Sequence, residues 1–334
     1  MTKSIAEIFE SFSQHKVLVI GDVMIDSYLM GKVERISPEA PVPIISMIEQ
    51  ENRLGGAANV ALNIQSLGAV PILCAVVGND ERAETFRELL TEKNITAEGI
   101  ISDPDRITTV KTRIISGRQH LMRVDRETDK PLSLQTENNF IKHVEKLLNE
   151  HIISAIIFED YDKGVITPEV ITSVVSMAKE KNIPTLVDPK KRNFLQYNET
   201  TLFKPNFKEL TEGLKIDLKK NDAKGLFDAA LHLHKQGIRY VLVTLSEYGV
   251  FISDGNSYKL IPAEIRDISD VSGAGDTVIS VASLCMASGM DTVITAQVAN
   301  IAGGLVCEKV GVVPIDKTQL LNELKTRKLT NLFY

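Results

Sequence analysis

The chain has 334 residues, of which 43% are hydrophobic and 25% are charged, a composition typical of a globular protein with one large α/β domain or two ordinary ones. A net charge of −6 is unfavourable for a nucleic-acid-binding protein, whose affinity depends on a basic surface. Residues 1–16 contain acids and no signal-peptide core, and no apolar run approaches the ~18 residues of a membrane span. We therefore expect a cytoplasmic protein without nucleic-acid or membrane partners.

Short β-branched runs alternate with helical patterns along most of the chain, which predicts parallel βαβ units. From Ala57, apolar residues recur at the i, i+3, i+4, i+7 spacing of a helix that ends at Gly68. Buried strands are predicted at 17–20, 155–158, 185–187 and 240–244. Further helices are predicted near 81–92, 136–150, 168–181 and 222–236.

Two segments interrupt this alternation. Residues 27–54 contain three prolines within six positions, and residues 107–127 have the pattern of a hairpin around Ser116-Gly117. Together they predict a small β-structured lid beside the main sheet. Its apolar residues, among them Val42 and Ile44, are too many for so small a unit to bury alone, so we expect a homodimer through the lid.

Polar side chains follow several of the predicted strands: Asp22, Glu159, Asp160, Asp188, Thr244 and Ser246. In open α/β sheets ligands bind at the carboxyl ends of the strands, so a site is expected there. The alternative for each residue is a turn or N-cap role, which is common for Asp and Ser at strand ends.

The segment DVSGAGDTVIS, residues 270–280, combines two glycines with an acid. Gly273 and Gly275 would let a ligand approach the backbone amides at a helix N-terminus, a natural site for phosphate. Asp276 would then be close enough to take a proton from an attacking hydroxyl. The alternative is a glycine turn with Asp276 as a cap; the uncharged stretch from Thr277 to Met290 favours function, because a buried helix seldom begins on an ionised acid.

The common nucleotide-binding motifs are missing. Neither G-x-x-x-x-G-K-[ST] nor G-x-G-x-x-G after a first strand occurs in the chain. A phosphate would therefore bind by another device. The three cysteines, Cys74, Cys285 and Cys307, lie in apolar runs without C-x-x-C spacing, which predicts buried free thiols rather than a metal site.

These features resemble the ribokinase-like, or PfkB, carbohydrate kinases over almost the whole chain. RLGGAANVALNIQSLG (53–68) and DVSGAGDTVIS (270–280) match the two signatures of that family. The segments at 21–44, 159–166, 186–194 and 243–250 are similar to the heptose 7-phosphate kinases of bacterial lipopolysaccharide biosynthesis. The resemblance implies one domain over 1–334, with a three-layer α/β/α fold, a mostly parallel central sheet and a small β-sheet lid.

The resemblance also implies roles for residues. Asp276 would be the catalytic base, and the amides of Gly273, Ala274 and Gly275 would form the anion hole for the transferred phosphoryl group. The N-x-x-E element, with Asn206, Phe207, Lys208 and Glu209, would hold ATP phosphates and Mg²⁺, Glu209 acting on the metal indirectly. A capping box is the alternative reading of that element, and both can hold at once. Further nucleotide contacts would come from Ser246, Gly249, Asn300, Gly303 and Lys190.

On the sugar side, the matching positions are Asp22, Asp26, Gly55, Gly56 and Asn59. A substrate that already carries a phosphate needs a second anion site, and the candidates are the cations Arg106, Lys111, Arg113, Arg118, Arg123 and Arg126, of which we favour Arg113 and Arg123. The alternative is a solvated strand face, which fits Lys111 and Arg113 best.

The expected activity is phosphorylation of the C1 hydroxyl of D-glycero-D-manno-heptose 7-phosphate by ATP with Mg²⁺, giving the 1,7-bisphosphate for ADP-heptose synthesis. A requirement for a monovalent cation stays open. No H-x-G-H motif occurs, so a separate nucleotidylyltransferase is expected to act next. The alternatives are a ribokinase-like kinase for another sugar and a non-catalytic binding regulator. Ser272 in place of the commoner Thr and Glu159 in place of a small residue depart from the family pattern.

Overall fold

The computed structural model describes residues 4–117, 119–264 and 266–326, so Arg118 lies outside the described residues. The strands are β1 (Lys16–Gly21), β2 (Val23–Ile36), β3 (Pro43–Gly56), β4 (Val70–Gly78), β5 (Ile100–Asp103), β6 (Val110–Ser116), β7 (Gln119–Arg126), β8 (Ala155–Glu159), β9 (Thr185–Asp188), β10 (Leu202–Phe203), β11 (Tyr240–Thr244), β12 (Val250–Ser253) and β13 (Tyr258–Ile261). The helices are α1 (Ile5–Ser11), α2 (Ala57–Ser66), α3 (Glu81–Glu92), α4 (Leu134–Glu150), α5 (Pro168–Glu180), α6 (Phe207–Leu214), α7 (Ala223–His234), α8 (Ala274–Ala287), α9 (Thr292–Cys307) and α10 (Lys317–Thr326).

A nine-stranded sheet carries the main body in the order β13-β12-β11-β10-β9-β8-β1-β4-β5. From β11 to β5 every neighbouring pair is parallel, and β12 and β13 add an antiparallel edge. All four strands predicted from the sequence are present. The sequence did not predict the strands β4, β5, β10, β12 and β13.

Helices cover both faces of this sheet. In β1, Val17 and Val19 belong to the core shared with α1, α2, α3, α8, α9 and α10. Leu18 and Ile20 belong to the opposite core, shared with α4 to α7. Because successive strand residues point to opposite faces, a strand covered on both sides must be apolar throughout, which is why the run VLVI marked β1 in the sequence. The predicted three-layer α/β/α architecture is confirmed.

Side-chain caps fix where several predicted helices begin. Asp80, Thr167 and Asp222 each accept a hydrogen bond from a backbone N–H in the first turn of α3, α5 and α7 respectively. Such caps satisfy amides that have no partner within the helix. The helix predicted from Ala57 is α2, and it ends at Ser66.

A separate four-stranded sheet, the small sheet, has the order β3-β2-β6-β7. It is built from the two segments predicted as a lid, and the hairpin around Ser116-Gly117 is β6 and β7. In the described residues, Cys74, Cys285 and Cys307 are buried free thiols, as predicted. No helix within those residues is long and apolar enough to cross a membrane.

Candidate active site

The strand register gathers the polar groups at one edge of the large sheet. Gly21 of β1 lies beside Glu159 of β8, which lies beside Asp188 of β9. A Cβ atom at Gly21 would approach the carbonyl oxygen of Glu159 to 2.1 Å, so only glycine fits at this strand end. The predicted clustering of strand-end carboxylates is therefore observed here.

Asp276 lies in the first turn of α8 and is only 6% exposed. The Nδ2 of Asn59 donates a hydrogen bond to its Oδ2 at 2.6 Å, and the hydroxyl of Tyr161 donates to its Oδ1 at 3.1 Å. Burial raises the pKa of Asp276 to about 6; the charge of Asp188 raises this pKa as well, while the bonds from Asn59 and Tyr161 oppose the shift. The result is a carboxylate that is ionised near neutral pH and more basic than an exposed aspartate, as a general base requires.

Gly273 is the N-cap residue of α8; it has a φ of +78° and provides no side-chain cap. A side chain there would be strained, and its Cβ would lie 3.1 Å from Nδ2 of Asn59. The amide of Ala274 donates to the carbonyl oxygen of Val271 at 3.3 Å, so this amide of the predicted anion hole is already engaged. A Cβ at Gly275 would lie 3.5 Å from both Asp188 Oδ2 and Lys204 Nζ, which places these charged groups beside the first turn.

Glu159 and Asp188 approach Asp276 from the sheet. Each of the three residues offers a carboxylate oxygen, and these oxygens lie within 4.8 Å of one another in a buried position. Among the described residues, neither oxygen of Glu159 has a hydrogen-bond partner, although Glu159 is 0% exposed. Burial raises the pKa of Glu159 well above its usual value, and the charges of Asp188 and Asp276 raise it further.

Two lysines complete this part of the site. Lys204 is buried and its Nζ lies 2.7 Å from Oδ2 of Asp188, while Lys190 Nζ bonds Oε1 of Glu209 at 2.5 Å and lies 4.0 Å from Asp188. Burial lowers the pKa of each ammonium group, but the neighbouring carboxylates outweigh burial and raise it overall. Two permanent cations therefore border the N-terminus of α8, an arrangement suited to phosphate.

The N-x-x-E element forms a complete capping box on α6. The side chain of Asn206 accepts from the N–H of Glu209, and Oε2 of Glu209 accepts from the N–H of Asn206, both at 2.8 Å. The structural alternative weighed for this element is thus confirmed. Phe207 packs partly against the core, whereas the Lys208 side chain is 81% exposed and lies 3.7 Å from Glu212.

The other residues predicted at the nucleotide lie after β11 and on α9. Ser246 and Gly249 both have positive φ, +55° and +86°, in the turn between β11 and β12. Asn300 donates through Nδ2 to the carbonyl of Pro262 at 2.9 Å. A Cβ at Gly303 would lie 2.9 Å from Cγ2 of Val278, so this glycine lets α9 pack closely on α8.

On the predicted sugar side, Asp22 supports the loop that follows β8. Its buried carboxylate accepts hydrogen bonds at 3.0 Å from the backbone N–H groups of Tyr161, Lys163 and Val165. Burial raises the pKa of Asp22, and these three bonds oppose the rise. Both carboxylate oxygens are therefore used in holding Tyr161 near Asp276.

Asp26 has a different environment. Its Oδ1 is bonded by the guanidinium of Arg113, and the backbone of Gly55 packs against its other oxygen, where a Cβ would lie 2.3 Å away. At Gly56 the φ of +62° favours glycine for the turn into α2. Asn59, one turn later, is the residue that bonds Asp276.

The cations predicted as an anion site already have partners. Arg113, which the sequence pattern suggested could be a solvated side chain, instead bonds Asp26 and lies 5.3 Å from the Tyr28 ring centroid. Arg123 bonds Asp125 at 2.8 Å with 55% of its side chain exposed. The other described cations of this segment also have partners. Arg106 donates to the carbonyl oxygens of Lys130 and Lys163. Lys111 pairs with Asp125 and Glu127, and Arg126 pairs with Asp80.

Sequence reasoning did not assign a role to five residues that the structure places at or near the site. Those around Asp276 are Tyr161, Glu159, Asp188 and Lys204, and Arg53 lies 4.7 Å from the ring centroid of Tyr28. Asp188 was recognised as a strand-end acid but not assigned to the site. Lys204 follows β10, a strand of two residues that is too short to show a period, so no signal could identify it.

The comparisons with known proteins agree with this geometry. Residues 14–318 match the model of the pfkB family carbohydrate kinases. The chain belongs to this family. It is therefore a carbohydrate kinase, and the enzyme class and the ribokinase-like fold inferred from the two glycine segments are confirmed.

Curated relatives cover nearly the whole chain. It is 37% identical over 322 residues to the bifunctional protein HldE of Pelobacter propionicus. This alignment covers 96% of this chain and 65% of that protein. It is 39% identical over 315 residues to the bifunctional protein HldE of Helicobacter hepaticus, covering 93% of this chain and 64% of that protein. The chain thus spans slightly less than two thirds of the length of these relatives.

Solved structures share the fold at low identity. Phosphofructokinase-2 of Escherichia coli in complex with potassium has a TM-score of 0.72 at 18% identity, covering 96% of this chain and 98% of that one. Arabidopsis thaliana ribokinase complexed with ribose and ATP has a TM-score of 0.70 at 17% identity, covering 93% and 98%. These likenesses support the three-layer fold with a small sheet.

Proposed function

We propose that this carbohydrate kinase transfers the γ-phosphoryl group of ATP to the C1 hydroxyl of D-glycero-D-manno-heptose 7-phosphate, giving ADP and the 1,7-bisphosphate. The observation that carries the kinase chemistry is the position of Asp276, between Asn59 and Tyr161 at the N-terminus of α8 and beside Lys204 and Lys190. The heptose substrate rests on the similarity of 21–44 and the other segments to heptose 7-phosphate kinases. The curated relatives named HldE support this substrate, because their similarity extends over 96% and 93% of this chain.

In this proposal Asp276 takes the proton of the C1 hydroxyl as the sugar oxygen attacks the γ-phosphorus and ADP leaves. The hydrogen bonds from Asn59 and Tyr161 orient the carboxylate toward the hydroxyl. The free amides of the first turn of α8 and the two lysines stabilise the charge that develops on the phosphoryl oxygens.

Mg²⁺ supplies charge neutralisation between the ATP phosphates when it is bound. The chain fits an indirect role for Glu209, because Lys190 bonds one of its oxygens and the Asn206 amide bonds the other. Such a carboxylate can orient water molecules around the metal without direct ligation. A monovalent cation requirement, the separate nucleotidylyltransferase and the cytoplasmic location stay predictions.

A substrate panel tests the proposal. Purified protein with ATP and Mg²⁺ is assayed against heptose 7-phosphate, fructose phosphates and ribose, and we expect the highest kcat/KM with heptose 7-phosphate. Preferential turnover of another sugar would contradict the proposed substrate and leave the family assignment intact.

The Asp276→Asn variant tests the base. We expect kcat to fall by several powers of ten while ATP binding, measured by calorimetry, is nearly unchanged, because a base acts only in the transition state. Wild-type turnover in this variant would contradict the role. A wild-type protein that binds ATP and sugar phosphate but never turns them over would instead support the regulator alternative.

We also propose a homodimer through the small sheet. Residues opposite each other in neighbouring strands share a face of a sheet. On that basis one face carries Leu29, Ile114, Met122, Val124 and Met47, and the last three are at least half exposed. The opposite face carries Asp26, Tyr28 and Arg113, which are polar; Arg113 bonds Asp26, and its guanidinium lies 5.3 Å from the ring centroid of Tyr28. A second copy of the chain would cover the apolar face.

A further inference from the structure

We propose that Glu127 is a positioning residue, which connects the small sheet to the loop after β8 (residues 160–166) and thereby to the Tyr161 hydroxyl that bonds Asp276. Glu127 directly follows β7, an edge strand of the small sheet. The inference deepens the proposed function and rests on it, because it takes Asp276 as the base and the surroundings of Asp26 as the sugar site.

The carboxylate of Glu127 holds two lysines that belong to different parts of the molecule. Its Oε1 lies 2.7 Å from Nζ of Lys163, in the loop after β8, and its Oε2 lies 3.1 Å from Nζ of Lys111, in β6. The side chains of Glu127, Lys163 and Lys111 are only 27%, 17% and 16% exposed, so salt screens these pairs less than exposed ones. Burial raises the pKa of Glu127, but the bonds from Lys163 and Lys111 outweigh burial and lower the pKa overall. The bridge is therefore ionised at neutral pH.

On the side of the large sheet, Lys163 and Tyr161 are fixed by the same atom. The backbone N–H groups of both residues donate to Oδ2 of Asp22 at 3.0 Å. The hydroxyl of Tyr161 in turn donates to Oδ1 of Asp276 at 3.1 Å. Only one residue separates Lys163 from Tyr161, so a contact that holds the Lys163 side chain also restrains the hydrogen bond from Tyr161 to Asp276.

On the side of the small sheet, Lys111 lies next to the predicted sugar site. The register of β2 and β6 places Lys111 opposite Asp26, on the same face of the sheet. Arg113, two residues further along β6, bonds the carboxylate of Asp26. A sugar phosphate bound at Asp26 would therefore restrain β6, and Glu127 would extend this restraint from Lys111 to the loop after β8.

The position of Tyr161 and the charge of Glu127 have opposite effects on Asp276, which allows an experiment to separate them. The groups that face Asp276 are the acids Glu159 and Asp188, the cation Lys204 and the hydrogen-bond donors Asn59 and Tyr161. Removal of the negative charge of Glu127 could only lower the pKa of Asp276, because a nearby anion disfavours ionisation. A weaker bond from Tyr161 would raise this pKa, because that bond stabilises the ionised carboxylate.

The variant Glu127→Gln, which keeps the shape of the side chain, tests the proposal with the sugar phosphate that the substrate panel identifies. We expect the fall of kcat at low pH, the acidic limb, to move to higher pH. We also expect KM for the sugar phosphate to rise about threefold, as for the loss of a partly exposed ion pair, and KM for ATP to stay unchanged. Asp125→Asn is the matched control, because Asp125 also pairs with Lys111, at 3.4 Å, and its other described partner is Arg123 rather than Lys163. Its acidic limb should be that of the wild type.

The double variant Glu127→Gln/Tyr161→Phe tests whether the effect passes through Tyr161. Its acidic limb should coincide with that of Tyr161→Phe alone, because no hydroxyl is left to be displaced. Additive shifts, an equal shift in Asp125→Asn, or a limb of Glu127→Gln at or below the wild-type pH would overturn this inference alone. A wild type without an acidic limb would overturn the base of the proposed function and this inference with it.

Amide hydrogen exchange gives a readout that does not depend on turnover. Without substrates, the amides of Tyr161 and Lys163 should exchange faster in Glu127→Gln than in the wild type or Asp125→Asn, because the loop opens more easily. Addition of the sugar phosphate should slow this exchange in the wild type more than in Glu127→Gln. Equal exchange in the three proteins would overturn the proposal, whatever the outcome of the sugar assays.

Discussion

Among single residues, the catalytic aspartate gives the most direct prediction about pH. Burial raises the pKa of Asp276 to about 6, and only its ionised form can accept a proton. We therefore expect kcat to be low below this pH, to reach half of its maximum near pH 6 and to level off toward pH 8. Rates at saturating ATP and sugar phosphate, measured between pH 5 and 8.5, check this. A flat profile through pH 5 would contradict proton transfer to Asp276.

Tyr161 offers a test of what sets that pKa. Its hydroxyl donates to Oδ1 of Asp276, and this bond lowers the pKa of the carboxyl because it stabilises the ionised form. Tyr161→Phe should therefore move the acidic limb of the kcat profile to higher pH. Tyr197→Phe is the control, because that hydroxyl bonds Asp160 at 2.8 Å and not Asp276. A limb that moves equally in both variants would mean that the hydroxyl of Tyr161 has no specific effect.

The sequence predicted the base but not its surroundings. Asp276 could be identified because it lies in the first turn of a helix that has no other charged residue. A buried helix rarely has an acid at this position unless the acid is functional. Tyr161 and Lys204 reach the same point from loops and a two-residue strand, and no local pattern indicates their direction. The role of the basic segment around Arg113 in binding the substrate phosphate stays a prediction, and no local pattern indicates the bond from Arg113 to Asp26, which is 87 residues away in the chain.

At the level of elements, the two glycines at the start of α8 should respond differently to substitution by alanine. Gly273→Ala places a side chain at a φ of +78° and 3.1 Å from Nδ2 of Asn59, so we expect a loss of about 1–3 kcal/mol of stability and slower catalysis. Gly275 lies inside the helix without a positive φ, where alanine is preferred by about 1 kcal/mol.

The Gly275→Ala variant should therefore keep its stability in urea unfolding. Its added methyl would lie 3.5 Å from Lys204 Nζ, in the space proposed for phosphate, so we expect a raised KM for ATP. Destabilisation by Gly275→Ala, or an unchanged KM, would contradict this account of the turn.

The loop after β8 depends on one buried carboxylate. Asp22 accepts three backbone N–H groups, and Asp22→Asn replaces one of the accepting oxygens by a donor that faces another donor. We expect this substitution to cost about 1–3 kcal/mol of unfolding free energy, as for other unsatisfied buried groups. Urea unfolding measures the cost. A variant of wild-type stability would show that the loop is held by other contacts.

For the elements as a whole, apolar runs and periodicity predicted β1, β8, β9 and β11 and the helices α2, α3, α4, α5 and α7, but not β4, although that strand is buried at eight of its nine residues. β1 is apolar from Val17 to Ile20 and β8 from Ala155 to Phe158, because helices cover both faces of these strands. α4 has one buried side, whereas seven of the ten residues of α2 are buried. The short strands β10, β12 and β13, of two to four residues, were not predicted either, because so few residues show no clear pattern of their own.

In the whole molecule, one face of the small sheet carries exposed apolar side chains, and this is the basis of the last prediction. Met47, Met122 and Val124 are 61%, 61% and 50% exposed, although register places them together with Leu29 and Ile114 on one face. An isolated sheet of this size gains little stability unless one face is buried. We expect light scattering at micromolar concentration to give the mass of a dimer.

Charge placed on that face should separate the copies. In Met122→Lys an ammonium group would have to be buried against its symmetry mate, so we expect a monomer. Glu49→Lys is the matched control, because Glu49 pairs with Met30 and therefore lies on the polar face, and it should remain dimeric. A wild-type monomer would refute the dimer, and a dimeric Met122→Lys would place the interface elsewhere. Since Arg113 and Asp26 lie on the other side of the same strands, the monomer should also have a raised KM for the sugar phosphate if dimerisation holds the small sheet in place over the site.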